Sequence, residues 1–191
     1  MGKGRLEAFS DGVIAILITI MVLELHPPEG SDLEALRSLG PTLVAYVVSF
    51  MYVGIYWNNH HHLLHVAKVV NGRVLWANMF LLFWLSLIPF GTAWMRQTDF
   101  AVFPTAVYGG LLLCAALGYF SLVRTLIRAP GQSPTLAAAL GSDWKGKVSL
   151  VIYVIGIALA LVAPVAAFGL YALVALIWFV PDRRIERALD R

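Results

Sequence analysis

The sequence predicts an all-α, polytopic membrane protein with six transmembrane helices. Three observations predict it. Hydrophobic residues make up 60% of the 191 and charged residues only 13%, where a soluble domain carries about 25% charge. Mean hydropathy is +0.78. The charges are also segregated, leaving long apolar runs between them, and the basic ones gather at alternate ends of those runs.

The first run is about Leu6 to Leu25. Met1, Gly2, Lys3, Gly4 and Arg5 precede it, as they could a signal peptide. No small-x-small cleavage site follows it; Glu24, His26, Pro27 and Pro28 do, so the N-terminus reads as mature. Asp11 lies inside the run, and only the 12 residues Gly12 to Leu23 separate it from Glu24. At about 1.5 Å per residue they cover about 18 Å of a hydrocarbon core about 30 Å thick. Such a helix fits poorly in lipid, so it reads as an inner helix shielded by the rest of the protein. An ionisable group such as Asp11 at a membrane helix marks an ion path or a clamp.

The second span lies between Arg37 and His60, and the third between Arg73 and Arg96. The fourth runs from Phe100 to Val123. Val148 to Pro181 is then 34 uncharged residues, about 51 Å as one helix and too long for a single crossing. Pro164 near its middle predicts a hairpin of two helices. The connection Thr125 to Lys147 holds Pro130, Gly131, Pro134 and Gly141 and reads as a loop that admits a short helix at Thr135 to Leu140. Residues 1–191 are expected to form a single six-helix transmembrane domain.

Charge supports this count. With a cytoplasmic N-terminus, Lys3, Arg5, Lys68, Arg73, Arg124, Arg128, Lys145, Lys147, Arg183, Arg184, Arg187 and Arg191 fall inside, and only Arg37 and Arg96 outside. Twelve of the 14 basic residues on one side is the positive-inside pattern. A single crossing by Val148–Pro181 would put the basic tail outside, so parity favours the hairpin. The pI of about 9.2 follows from this distribution and does not argue for nucleic acid. The first outer loop carries Glu24, Glu29, Asp32 and Glu34; it reads first as a solvated loop, with a modest capacity to concentrate cations.

Three signals argue against other chemistries. Cys114 is the single cysteine, so no intrachain disulfide or thiolate cluster forms. His61 and His65 stand at a spacing that can chelate zinc, but a structural site wants four ligands and no acidic or Cys residue is near them in sequence. No metal site and no cofactor are expected. No nucleophile or substrate pocket is legible, so the chain does not read as an enzyme. Thr105-Ala106-Val107-Tyr108-Gly109-Gly110 faintly resembles a potassium-filter loop. It lies in an uninterrupted apolar span, however, and carbonyl selectivity needs unwound backbone beside water. Gly109 and Gly110 read instead as helix-packing positions.

Arg5-x-x-x-Phe9-Ser10-Asp11 opens the first helix, and Tyr56-Trp57-Asn58-Asn59-His60-His61 ends the second. Pro89-Phe90 within the third is a weaker element. In this combination, over nearly all its length, the chain resembles a prokaryotic member of the endolysosomal potassium channel family, that of transmembrane protein 175. The resemblance implies six helices per repeat and a fourfold or pseudo-fourfold channel whose pore is lined by the first helix without a re-entrant loop; the charge distribution puts both termini in the cytoplasm. A single-repeat chain would assemble as a homotetramer in the cell membrane. Animal relatives carry two repeats and conduct potassium and protons. The implied function is a potassium-permeable cation channel of modest selectivity, with proton permeability open. Its partners would be other copies of itself, K+ and other monovalent cations, and lipid.

At about 100° per residue, Ile16, Thr19, Ile20 and Leu23 share one face of the first helix. Asp11 points about 140° away from Ile16, toward neighbouring helices. By the resemblance, Ile16 forms the narrowest constriction and Ile20 and Leu23 further apolar layers, with a ring of Thr19 hydroxyls between them. Hydrophobic constrictions gate by dewetting. Asp11 needs hydrogen-bond donors, and Trp57, Asn58, His60 and His61 lie at its depth. A cluster of Arg5, Ser10, Asp11 and some of these is expected to hold the pore helix. Whether His60, His61 or His62 takes part stays open. The competing classes are a cation transporter or proton-coupled carrier and a non-conducting structural membrane protein. No charge lies near the middle of any span, which disfavours a carrier with a midplane ion site.

Overall fold

The computed structural model describes residues 2–28, 30–132 and 144–179. These fold into α-helices: α1 (Lys3–Leu23), α2 (Leu33–Ser38), α3 (Gly40–Val66), α4 (Gly72–Ser86), α5 (Ile88–Gln97), α6 (Val102–Ile127), α7 (Trp144–Ala160) and α8 (Pro164–Phe179). The helix read at Thr135 to Leu140 and the basic tail from Arg183 lie outside the described residues.

Helix ends follow local chemistry. The Asp32 carboxylate accepts from the Ala35 amide at 2.8 Å and caps α2. The Asn71 side chain does the same for Val74 at 3.0 Å and caps α4. Helix α3 runs on through the histidines to Val66 instead of ending at His60, because His60, Leu63 and Leu64 are buried there. The third span, expected as one rod, is broken at Leu87 between α4 and α5. Pro89 has no N–H, so Leu85 loses its helical donor, and the proline ring crowds the preceding turn.

The run from Val148 is folded back as expected. Helices α7 and α8 are separated by Leu161 to Ala163, and Pro164 opens α8, a position where its missing donor costs nothing. The pair is tied by the Trp178 indole, which donates to Ser149 Oγ at 2.8 Å. Among the described residues, four segments are long and apolar enough to cross a membrane: α1, α3, α4 with α5 taken together, and α6. The described parts of α7 and α8 are 17 and 16 residues.

Helix α6 is the central post, packed on α4, α5, α7 and α8. Gly118 lets α4 approach closely, since a Cβ there would sit 3.0 Å from the Leu81 Cα. Gly109 leaves space that the Tyr171 phenol fills, while Gly110 has open space around it. The Thr105–Gly110 stretch is continuous helix within α6. Tyr52, Tyr108, Tyr153 and Tyr171 are buried together between α3, α6, α7 and α8. Tyr52 donates to the Tyr171 carbonyl at 2.5 Å, and Thr92, Ser49 and Tyr108 form a second hydroxyl chain. Helix α1 stands at the side of this assembly, packed on α3, α4 and α5.

Candidate functional site

Helix α1 has two distinct faces. Leu6, Ser10, Ile14, Leu17 and Met21 are buried. They recur every three or four residues and meet α3, α4 and α5. The opposite face carries Arg5, Phe9, Gly12, Ile16, Thr19, Ile20 and Leu23, all exposed within one chain. Ile16 is 57% exposed, Ile20 41% and Leu23 77%. Of the four membrane-length segments, α1 is the least buried. The shielding expected for this short helix is therefore absent on its outer face within one chain.

Thr19 Oγ1 donates to the Ile16 carbonyl at 2.8 Å. This back-bond commits the hydroxyl proton to the helix and leaves the oxygen lone pairs directed away from it. An exposed oxygen of that kind accepts from water or coordinates a cation.

The polar residues of α1 are held in two separate places, not in one cluster. Asp11 is half-buried, and its Oδ1 accepts from the Trp57 indole at 3.0 Å. Trp57 stacks on His61 with centroids 6.2 Å apart, and His61 stacks on His65 at the same separation. Two turns further toward the N-terminus, Lys3 donates to the His65 carbonyl at 2.8 Å and sits 3.8 Å from Glu7. These contacts zip the N-terminal half of α1 to the end of α3.

The second place is a buried triad. Ser10, His60 and Asn78 are almost wholly excluded from solvent. His60 Nε2 lies 2.7 Å from Asn78 Oδ1, and Asn78 Nδ2 donates to Ser10 Oγ at 3.0 Å. An amide oxygen only accepts, so His60 Nε2 carries the proton. One amide thereby joins α1, α3 and α4. Among the three histidines left open, His60 is the one that packs inward; His61 is exposed and His62 half-buried. Arg5 is exposed, and Arg5 and Asn58 make no side-chain hydrogen bond or ion pair among the described residues.

Sequence reasoning missed Asn78. Its signal was there: a single amide inside the apolar stretch Val74 to Phe83, where a polar group needs a partner.

Asp11→Ala is expected to cost about 1 kcal/mol, because the Trp57 donor loses its acceptor at a half-exposed site. Asp11→Asn keeps an oxygen for Trp57 and should recover most of the loss. Chemical unfolding of the purified protein in detergent reads both, and an Ala variant as stable as wild type would remove this clamp.

Comparison with known proteins bears on this arrangement. The family profile for the endosomal/lysosomal potassium channel TMEM175 matches residues 5–89, a stretch that covers α1, α3, α4 and both motifs. A potassium channel from Chryseobacterium sp. (strain P1-3) is 53% identical over 189 residues, 99% of this chain and 98% of its own. The human endosomal/lysosomal proton channel TMEM175 is 41% identical over 81 residues, 36% of this chain and 16% of that much longer protein. The crystal structure of a lysosomal potassium-selective channel TMEM175 homolog from Chamaesiphon minutus superposes with a TM-score of 0.80 at 26% identity, covering 93% of this chain and 96% of that one.

Proposed function

The chain belongs to the endosomal/lysosomal potassium channel TMEM175 family, and from that premise we propose that it is a potassium-permeable cation channel of the cell membrane and not an enzyme. It is a homotetramer of single six-helix domains with both termini cytoplasmic. Helix α1 of each copy faces the central axis. Ile16 forms the constriction, Ile20 and Leu23 add apolar layers, and Thr19 supplies hydroxyl oxygens to the passing ion. Selectivity for K+ is modest, because dewetting and hydroxyl rings discriminate less than a carbonyl cage, and protons are a second permeant ion.

One observation carries this reading: the unpartnered face of α1. Exposed apolar residues on a membrane protein ordinarily meet lipid, and the other outward faces fit that. Helix α4 presents Trp76, Phe80 and Phe83, and α7 presents Val148, Val151, Val154 and Ile155. The α1 face differs in mixing Arg5, Gly12 and Thr19 with its aliphatics. Its apolar length between Asp11 and Glu24 also falls about 12 Å short of a hydrocarbon core. A face of that length and polarity suits water and other copies of the same helix. The α7–α8 hairpin, described over 17 and 16 residues in its two arms, supports a count of six crossings, and the positive-inside distribution supports this orientation.

Reconstitution in liposomes tests the proposal. Purified protein should pass K+ down its gradient without a co-substrate and at channel rates; saturable exchange that requires a counter-ion would replace the channel with a carrier. In the same preparation Thr19→Ala should move the reversal potential toward that of a non-selective cation pore. A reversal potential unchanged from wild type removes Thr19 from the ion path.

A further inference from the structure

A groove of about 90 Å³ opens between α3, α6, α7 and α8, none of its lining residues lying on α1. Its walls are largely apolar or aromatic, with Ile55, Tyr56, Ala116, Phe120, Leu150 and Trp178 the principal ones. An apolar cavity does not hold ordered water, so this groove favours hydrocarbon. Its rim is different. Lys147 lines it and is exposed. The Arg124 guanidinium carbon lies 4.3 Å from the centroid of the Phe120 ring, and Lys145 Nζ lies 5.9 Å from that of Trp178. The described residues of α3, α6, α7 and α8 include no carboxylate. A greasy slot beneath a basic rim matches one amphiphile: a long acyl chain attached to a phosphodiester. Such basic pockets between helices at the cytoplasmic side are suited to anionic lipid headgroups.

We propose that this groove is a binding site for an anionic phospholipid of the cytoplasmic leaflet. One acyl chain lies along Ile55, Ala116, Leu150 and Trp178, and the phosphate sits at Lys147 and Arg124. The proposal rests on the orientation given above, which puts the ends of α6 and α8 and the start of α7 in the cytoplasm. It does not rest on which residues line the pore. The groove is walled by α3, α6, α7 and α8, whereas α1 packs on α3, α4 and α5, so the site acts on the packing of α7 and α8 against α3 and not on the ion directly.

The test titrates the purified full chain in neutral detergent with phosphatidylglycerol or phosphatidylcholine whose acyl chains are brominated, following quenching of tryptophan fluorescence. Wild type should bind phosphatidylglycerol in preference to phosphatidylcholine, and Trp178→Phe should remove the quenching component that saturates first. Neutralising both rim charges in Lys147→Gln/Arg124→Gln should weaken phosphatidylglycerol about 25-fold, at about fivefold per charge, and leave phosphatidylcholine unchanged. Ala116→Leu fills the slot and should weaken both. Glycerol phosphate, a headgroup without chains, should not compete. Equal binding of the two lipids by wild type overturns the site, as does a double variant that titrates like wild type, or full competition by glycerol phosphate, which would leave only an anion site. Potassium flux measured on the same samples separates the two readings: normal flux with no lipid preference ends this proposal and leaves the channel intact, whereas lipid preference without flux does the reverse.

Discussion

Ile16→Ala is expected to raise leak conductance strongly, the largest functional change of any single substitution in this chain. Each copy loses three carbons from an exposed side chain, and in a fourfold ring the loss occurs four times at one height. A constriction that gates by dewetting depends steeply on its width, so a gap widened on every side fills with water. Because Ile16 is 57% exposed within one chain and touches no core, the substitution should leave stability of the protomer almost unchanged. The measurement is single-channel or liposome conductance beside an unfolding curve. Higher flux with unaltered stability is the expected pair. Unchanged conductance and selectivity would take Ile16 out of the constriction, and the proposal would have to move to Ile20 or Leu23.

Asn78→Leu is expected to be the most damaging change to folding. The leucine fits the volume but removes both the acceptor for His60 Nε2 and the donor to Ser10 Oγ. Ordinary hydrogen bonds between membrane helices contribute only about 0.6 kcal/mol. The larger effect here is the stranded imidazole N–H in a site that excludes water, which costs about 1–3 kcal/mol by itself. A total near 2–3 kcal/mol is expected. Ser10→Ala, which leaves the His60 bond in place, should cost less than half as much. Unfolding of the purified variants in detergent measures both. If Asn78→Leu were as stable as wild type, the triad would not be what joins α1 to α3 and α4.

These two sites differ in how far they could be read from the chain alone. Ile16, Thr19, Ile20 and Leu23 were legible as one face because helical periodicity alone places them together. Asp11 was legible as a group needing a donor, with Trp57 one of four candidates at its depth, but nothing in the sequence chose among them. Pro164 and the length of the uncharged run around it gave the α7–α8 hairpin. The rest required three dimensions. Asn78 sits 68 residues from Ser10, and no local pattern links them. His60 could have been told from His61 by its register with Tyr52 and Tyr56, which are buried at the same four-residue spacing. Pro89 was read as part of a motif, and its physical effect, the break at Leu87, passed unnoticed. Helix α3 outran its expected end because histidines look like a boundary, yet one of them is core.

The uncharged part of α7, from Val148 to Ala160 before the turn at Leu161, is 13 residues, about 20 Å of rod against a hydrocarbon core of about 30 Å. The fatty flank it presents is thus several ångströms lower than the one beside the 27-residue α3. Bilayer leaflets meeting that edge must pinch inward to cover it, at a fraction of a kcal/mol for each ångström of mismatch. A tetramer of such protomers would wear this dimple at four places around its rim, and thick, sterol-like or long-chain bilayers would strain it where thin ones relax it.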